Sequence, residues 1–106
     1  MSELIAFPKH EQCLFSLEEL IEKTHELAKI SSNVWIDCPH VKERMLERKV
    51  TMRQIFDVLR CGKGISGPTL DKHGDWRIKL KRYSAGRKVQ VVVVIRQQHI
   101  EIITVI

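Results

Sequence analysis

Three side chains able to move protons or bind phosphate recur at every fourth residue between positions 40 and 48. On a helix, His40, Arg44 and Arg48 would lie along one ridge. An imidazole exchanges protons near neutral pH, and a guanidinium binds phosphate through a planar fork of donors. The spacing therefore predicts a surface for RNA chemistry or RNA binding.

Simpler roles for these residues compete with that interpretation. A histidine at a helix start commonly caps or packs, and arginines on a helix often pair with nearby carboxylates, which contributes ~0.2–1 kcal/mol and implies no function. The candidate partners are Glu43, Glu47 and Asp57. Arg44 is the better functional candidate of the two arginines, because it lies between His40 and Arg48 on a ridge without an acid.

The second of three predicted helices would position this ridge. Pro39 suits the first position of that helix, since its missing N–H is not needed there, and Cys38 would then be the N-cap. Capping boxes open the first helix at Ser16, which we expect to run to about Ile30, and the third helix at Thr51. The tight turn before Thr51 raises helix-turn-helix DNA binding as an alternative, which the strands that follow disfavour.

The second half of the chain predicts a sheet. Glycines and a proline between residues 62 and 74 predict loops, and strict alternation of apolar and basic residues over 76–83 predicts a strand with one buried face. A turn at 84–87 leads to the apolar run 91–95, which predicts a central strand covered on both sides, and 100–106 predicts a final antiparallel strand. Residues 34–36 fit a short strand or an apolar plug.

We therefore expect an α+β fold, with N-terminal helices packed on a C-terminal antiparallel sheet of three to four strands. The first helix could cover one face and the helix pair the other, or a partner chain could supply one cover.

Length and charge bound the remaining possibilities. The 106 residues, 43% of them hydrophobic, fit one globular unit. Eighteen Lys and Arg against thirteen Asp and Glu suit a polyanionic partner, either nucleic acid or an acidic protein. Neither a leader-like start nor a long apolar run is seen, so we expect a cytoplasmic protein without membrane contact.

The cysteines offer little chemistry. Cys13, Cys38 and Cys61 are odd in number and lack a C-x-x-C pair, so reduced thiols are expected. Zinc binding by Cys38, His40 and Cys61 would match no usual ligand spacing, and a nucleophilic Cys38 would lack a base and an orienting group. We predict no metal and no cofactor.

A set of short motifs occurs in a fixed order along the chain. They are His40-x-x-x-Arg44-Met45-x-x-Arg48, Val50-Thr51-x-x-Gln54-Ile55, Gly74-Asp75-Trp76-Arg77, Gly86-Arg87-x-Val89-x-Val91-Val92-Val93 and Ile103-Thr104-Val105-Ile106. The set resembles an uncharacterised domain-of-unknown-function family that is grouped with RelE-like toxins and with the nuclease fold of barnase, EndoU and colicin tRNases. The resemblance covers about residues 34–106 and implies a RelE-like toxin domain there, with residues 1–33 as an N-terminal helical extension of the same globular unit.

This resemblance implies a RelE-like fold and the toxin component of a toxin–antitoxin module. The implied activity is metal-independent endoribonuclease cleavage of RNA, as by an mRNA interferase. The implied partners are RNA and a cognate antitoxin, in some members a zinc-binding, DNA-binding protein of the MqsA type. His40, Arg44 and Arg48 would be catalytic, with His40 as acid or base and the arginines as a phosphate clamp.

Further residues could bind the substrate if their face of the sheet looks toward the helix carrying His40. Lys79 would add charge and Tyr83 a stacking ring. The full expected set is Arg77, Lys79, Lys81, Arg82, Tyr83 and Thr104. The simpler interpretation is a solvated strand face, with Thr104 satisfying sheet packing only.

Two alternatives to the enzyme stay open. One is a non-enzymatic module of the same fold that binds RNA or an acidic protein segment, because only one convincing proton-transfer residue is present. The other is a structural partner protein that pairs through a sheet edge. Whether the chain forms a homodimer also stays open.

Overall fold

The computed structural model describes residues 15–36, 39–70 and 74–106. Within these ranges the chain forms three α-helices and five strands, which confirms the α+β class. The elements are α1 (Leu17–Ala28), a 3-10 turn (Ser31–Asn33), β1 (Val34–Trp35), α2 (Pro39–Arg48), α3 (Met52–Cys61), β2 (Lys63–Leu70), β3 (Trp76–Ser84), β4 (Arg87–Ile95) and β5 (Ile100–Val105).

The local sequence signals were accurate at most element boundaries. Ser16 and Thr51 both form the predicted capping boxes, and α2 begins at Pro39. Helix α1 ends at Ala28, two residues before the expected end. The predicted cap Cys38 lies outside the described residues. A two-residue turn joins β3 to β4 with φ values of 53° at Ala85 and 78° at Gly86, as a hairpin turn that follows the twist of its strands requires.

The sheet is larger than the predicted three or four strands. Its order is β1-β5-β4-β3-β2, and every pairing is antiparallel except that of β1 with β5. The prediction of a loop in the region of β2, made from its glycines and Pro68, is wrong. The pairing of β2 with β3 shifts register on both sides of Ser66. An edge strand tolerates this composition, because a proline without N–H and irregular pairing cost little where only one side is hydrogen-bonded.

One hydrophobic core lies between the sheet and the helices α1 and α3. Leu20 and Ala28 of α1 are buried in the same core as Ile55, Val58 and Leu59 of α3 and as Ile78, Leu80, Val91, Val93 and Ile102 of the sheet. The expectation that α1 and the helix pair would cover opposite faces is therefore wrong, since α1 and α3 share a face. Helix α2 packs against β5 and buries Val41 in the same core.

Strand β4 is central, as predicted. Its second face carries Val92, which is half-buried, and Val94, which is 2% exposed. The apolar run 91–95 is thus largely shielded on both faces.

Candidate functional site

The face of the sheet opposite α1 and α3 is rich in cations, and we call it the basic face. Buried and half-buried residues alternate along β3, so Arg77, Lys79, Lys81 and Tyr83 lie on this face while Ile78 and Leu80 lie in the core. Paired residues of neighbouring strands point to the same side. The pairing therefore adds further basic-face residues, namely Lys63 of β2, Lys88, Gln90, Val92 and Val94 of β4, and Glu101 and Thr104 of β5.

His40 borders the basic face. Its Nε2 lies 3.5 Å from Thr104 Oγ1, a contact between the first turn of α2 and the last strand, 64 residues apart in sequence. Thr104 pairs with Val92, and Val92 pairs with Lys79. These residues form one row across the sheet, in which Lys79 lies two strand spacings, roughly 10 Å, from Thr104. Lys79 thus lies on the same face of the sheet as Thr104, the residue that His40 contacts, while Val41 of the same helix is buried in the core shared with α1 and α3.

Arg44 lies one helical turn beyond His40 and is only 30% exposed at its side chain. Its Nη1 donates to Glu47 Oε1 at 3.3 Å. The ridge itself carries no acid, and Glu47, three residues further along the helix, supplies the carboxylate that pairs with Arg44. The Nε of Arg44 is buried, and no described residue accepts a hydrogen bond from it. Arg48, a further turn along, is exposed.

Arg82 is not brought together with the other predicted site residues. It follows the core-facing alternation of β3, so its side chain turns toward α3. There its Nε is 3.0 Å from Asp57 Oδ1, and Nη1 donates to the carbonyl oxygen of Cys61 at 3.4 Å. The period of two in a strand is the reason, since Tyr83 beside it faces the opposite way. Tyr83 is 72% exposed and pairs with Lys88 at the hairpin end of the basic face.

An ionic cluster at the other end of the sheet was not predicted from the sequence. Arg96 forms salt bridges with both Asp75 and Glu101. Burial lowers the pKa of Arg96, but hydrogen bonds and charge attraction from Glu101 and Asp75 more than offset this and hold the pKa above its ordinary value. Asp75 of the Gly74-Asp75-Trp76-Arg77 motif thus ties the start of β3 to the β4–β5 connection. The pairing of Arg96 with Glu101, five residues apart across a predicted turn, was the available signal.

The stacked pair of Trp35 and His99 was not predicted from the sequence either. The rings of Trp35 and His99 are stacked, with centroids 3.7 Å apart and planes inclined by 18°. They are contributed by β1 and by the β4–β5 turn, and the parallel pairing of β1 with β5 that unites them has no local signal in the sequence.

Two other kinds of feature are absent from the described residues. In ranges 15–36, 39–70 and 74–106, no three His, Cys, Asp or Glu side chains are grouped in a way that could hold a metal ion. None of the helices in those ranges is long and apolar enough to cross a membrane.

The fold and this face define an α+β protein whose sheet presents a basic surface bordered by a histidine. A family model described as "Domain of unknown function (DUF4258)" matches residues 39–106, and the chain belongs to this family. The prediction of a domain-of-unknown-function family is confirmed. The match contains α2 and all strands from β2 to β5, including His40 and Thr104, whereas α1 and β1 precede it. No curated protein and no solved structure matches the chain.

Proposed function

We propose that the protein is the toxin of a toxin–antitoxin module and acts as an endoribonuclease that needs no metal ion. The observation that carries the proposal is the contact of His40 with Thr104, which sets an imidazole at the border of the basic face and in the row of Lys79. The resemblance of the ordered motifs to RelE-like toxins supports the same activity. Although β1 precedes α2, the order of α2 and α3 followed by the antiparallel strands β2 to β5 is compatible with a RelE-like fold.

The proposed reaction is an internal transfer of phosphate. The 2′-oxygen of a ribose attacks the adjacent phosphorus after losing its proton, the bond from phosphorus to the 5′-oxygen breaks, and that oxygen gains a proton. The products are a 2′,3′-cyclic phosphate and a 5′-hydroxyl. His40 serves one of the two proton transfers, which such a side chain typically accelerates by about 10²- to 10⁴-fold.

The cations have the complementary task of stabilising the charge of the transition state. Arg44 binds the phosphate by exchanging its contact with Glu47 for the phosphate oxygens. This exchange costs little, because Glu47 is 62% exposed at its side chain and an exposed pair of this kind contributes only ~0.2–1 kcal/mol. Arg48 extends the cationic ridge along α2, and Lys79 and Lys81 supply positive charge from the sheet.

Cleavage of an RNA oligonucleotide in the presence of a metal chelator tests the proposal. The parent should yield cyclic-phosphate ends, and His40→Ala should lower the rate by about 10²-fold or more. Arg44→Ala should also lower the rate, because it removes a cation from the phosphate. Its matched control, Arg53→Ala, should not, because Arg53 is exposed on α3 on the other side of the sheet. Cleavage that persists in His40→Ala refutes the assignment. RNA binding without any cleavage by the parent would favour the non-enzymatic module instead.

The toxin proposal also includes a cognate antitoxin. The excess of five positive charges suits an acidic partner surface, and the resemblance suggests a partner of the MqsA type. Co-expression with the product of the adjacent reading frame should yield a stoichiometric complex that lacks the cleavage activity. A complex that cleaves RNA as fast as the free chain would refute this part.

A further inference from the structure

Trp35 is an unusual residue for the edge of a small sheet. It is 46% exposed, although a tryptophan has a large apolar surface that folding normally buries. One partner of its ring is His99, stacked at 3.7 Å. A planar ring held by a second ring and still half open to solvent can accept another flat group.

The sheet pairing assigns Trp35 to the basic face. Trp35 pairs with Glu101, Glu101 with Val94, and Val94 with Arg77. This row runs parallel to the row of Thr104, Val92 and Lys79 that begins at His40. Glu101 and Thr104 are three residues apart on β5, which corresponds to about 10 Å. One flexible strand of nucleic acid can therefore reach both rows.

Charge differs between the two rows. Beside Trp35, the salt-bridged cluster of Arg96, Asp75 and Glu101 contains two carboxylates and one guanidinium. Arg77 at the far end of the row adds a second guanidinium, so the charges of this row cancel and it does not favour a phosphate. The row that starts at His40 ends on Lys79 and adjoins Lys81. The phosphate is favoured in one row and a neutral, flat group in the other.

We propose that Trp35, supported by His99, is a base-stacking subsite for single-stranded RNA whose neighbouring phosphate lies at His40, Arg44 and Lys79. The inference rests on the proposed RNA-directed function and adds the substrate class, an unpaired strand. A base in a duplex is already stacked on both sides and cannot lie on the Trp35 ring. Stacking of this kind is tolerant of sequence, since every base has a flat face.

Binding of a non-cleavable single strand tests the subsite apart from catalysis. The probes are a 2′-O-methyl RNA octamer and an abasic strand of the same charge. Trp35→Ala should weaken binding of the octamer roughly 5- to 100-fold, the usual range for loss of one base stack, and should leave the abasic strand unaffected. Trp35→Phe keeps a ring and should bind within a few-fold of the parent. Leu46→Ala, which removes another exposed apolar side chain, is the matched control.

Fluorescence gives a second readout. The only other tryptophan, Trp76, is 6% exposed, so quenching on addition of the octamer should come from Trp35 and persist in a Trp76→Phe variant. Octamer binding by Trp35→Ala within twofold of the parent, or equal weakening of octamer and abasic strand, overturns the inference. Cleavage by the parent alongside that result would leave the proposed function standing. If the parent does not cleave RNA but binds the octamer in a way that depends on Trp35, the proposed enzyme activity is refuted and the stacking subsite is not.

Discussion

The charge of the basic face should appear as the salt dependence of RNA binding. Four lysines lie on this face, Lys63, Lys79, Lys81 and Lys88. In the described part of the chain none of them forms a salt bridge with a carboxylate. Each is therefore available to a phosphate. Neutralising one phosphate of a single strand contributes about 0.7 to the slope of log affinity against log salt concentration.

The expected magnitude follows from these four contacts. The four lysines together contribute about −2.8 to the slope, in addition to any phosphate contact of Arg44, and this contribution weakens binding roughly 50-fold when salt is raised from about 50 to about 200 mM. The double variant Lys79→Ala/Lys81→Ala should reduce the contribution to about −1.4, so that the same change in salt weakens binding only about 7-fold through the remaining lysines. Fluorescence anisotropy of a labelled, non-cleavable octamer over a salt series measures both values.

Lys23→Ala is the control for this experiment. Lys23 lies on α1, which packs on the opposite face of the sheet, so its removal should leave the slope within error of the parent. Equal slopes for the parent and the double variant would refute the assignment of RNA to the basic face. A loss of about 0.7 from the slope in Lys23→Ala, the amount that one phosphate contact contributes, would show that net charge alone, and not this face, binds RNA.

Two further predictions concern stability and are measured by thermal or denaturant unfolding. Lys49→Gly should stabilise the protein by about 1 kcal/mol, because Lys49, which follows the last residue of α2, has a φ of 56°, a left-handed conformation that costs a residue with a side chain roughly this much. The control Lys42→Gly, within α2, should destabilise the protein by about 1 kcal/mol. Equal effects of the two substitutions would refute the reasoning. Gln54→Ala should destabilise by about 1–3 kcal/mol, because the buried Gln54 amide donates to Ser84 O at 3.1 Å while its Oε1 accepts from Thr51 N at 2.9 Å; the exposed neighbour Arg53→Ala should stay within about 0.5 kcal/mol of the parent, and a Gln54→Ala variant as stable as that control would contradict the role.

Features that depend on residues only a few positions apart could be predicted from the order of the amino acids. The capping boxes at Ser16 and Thr51, the proline start of α2 and the two-residue turn at Ala85 and Gly86 follow from local hydrogen bonds and backbone preferences. The alternation along β3 likewise determined which of its residues share a face. The spacing of His40, Arg44 and Arg48 was enough to define a ridge before any fold was known.

Tertiary structure alone decided how these pieces face one another. The placement of α1 and α3 on the same face, the edge strand β2 and the stacking of Trp35 on His99 depend on pairings between distant segments, whose register no local pattern specifies. The same holds for the contact of His40 with Thr104, across 64 residues. Packing of apolar surface sets these relationships, because it acts on whole helices and strands. It places the helix that carries His40, Arg44 and Arg48 beside the basic face.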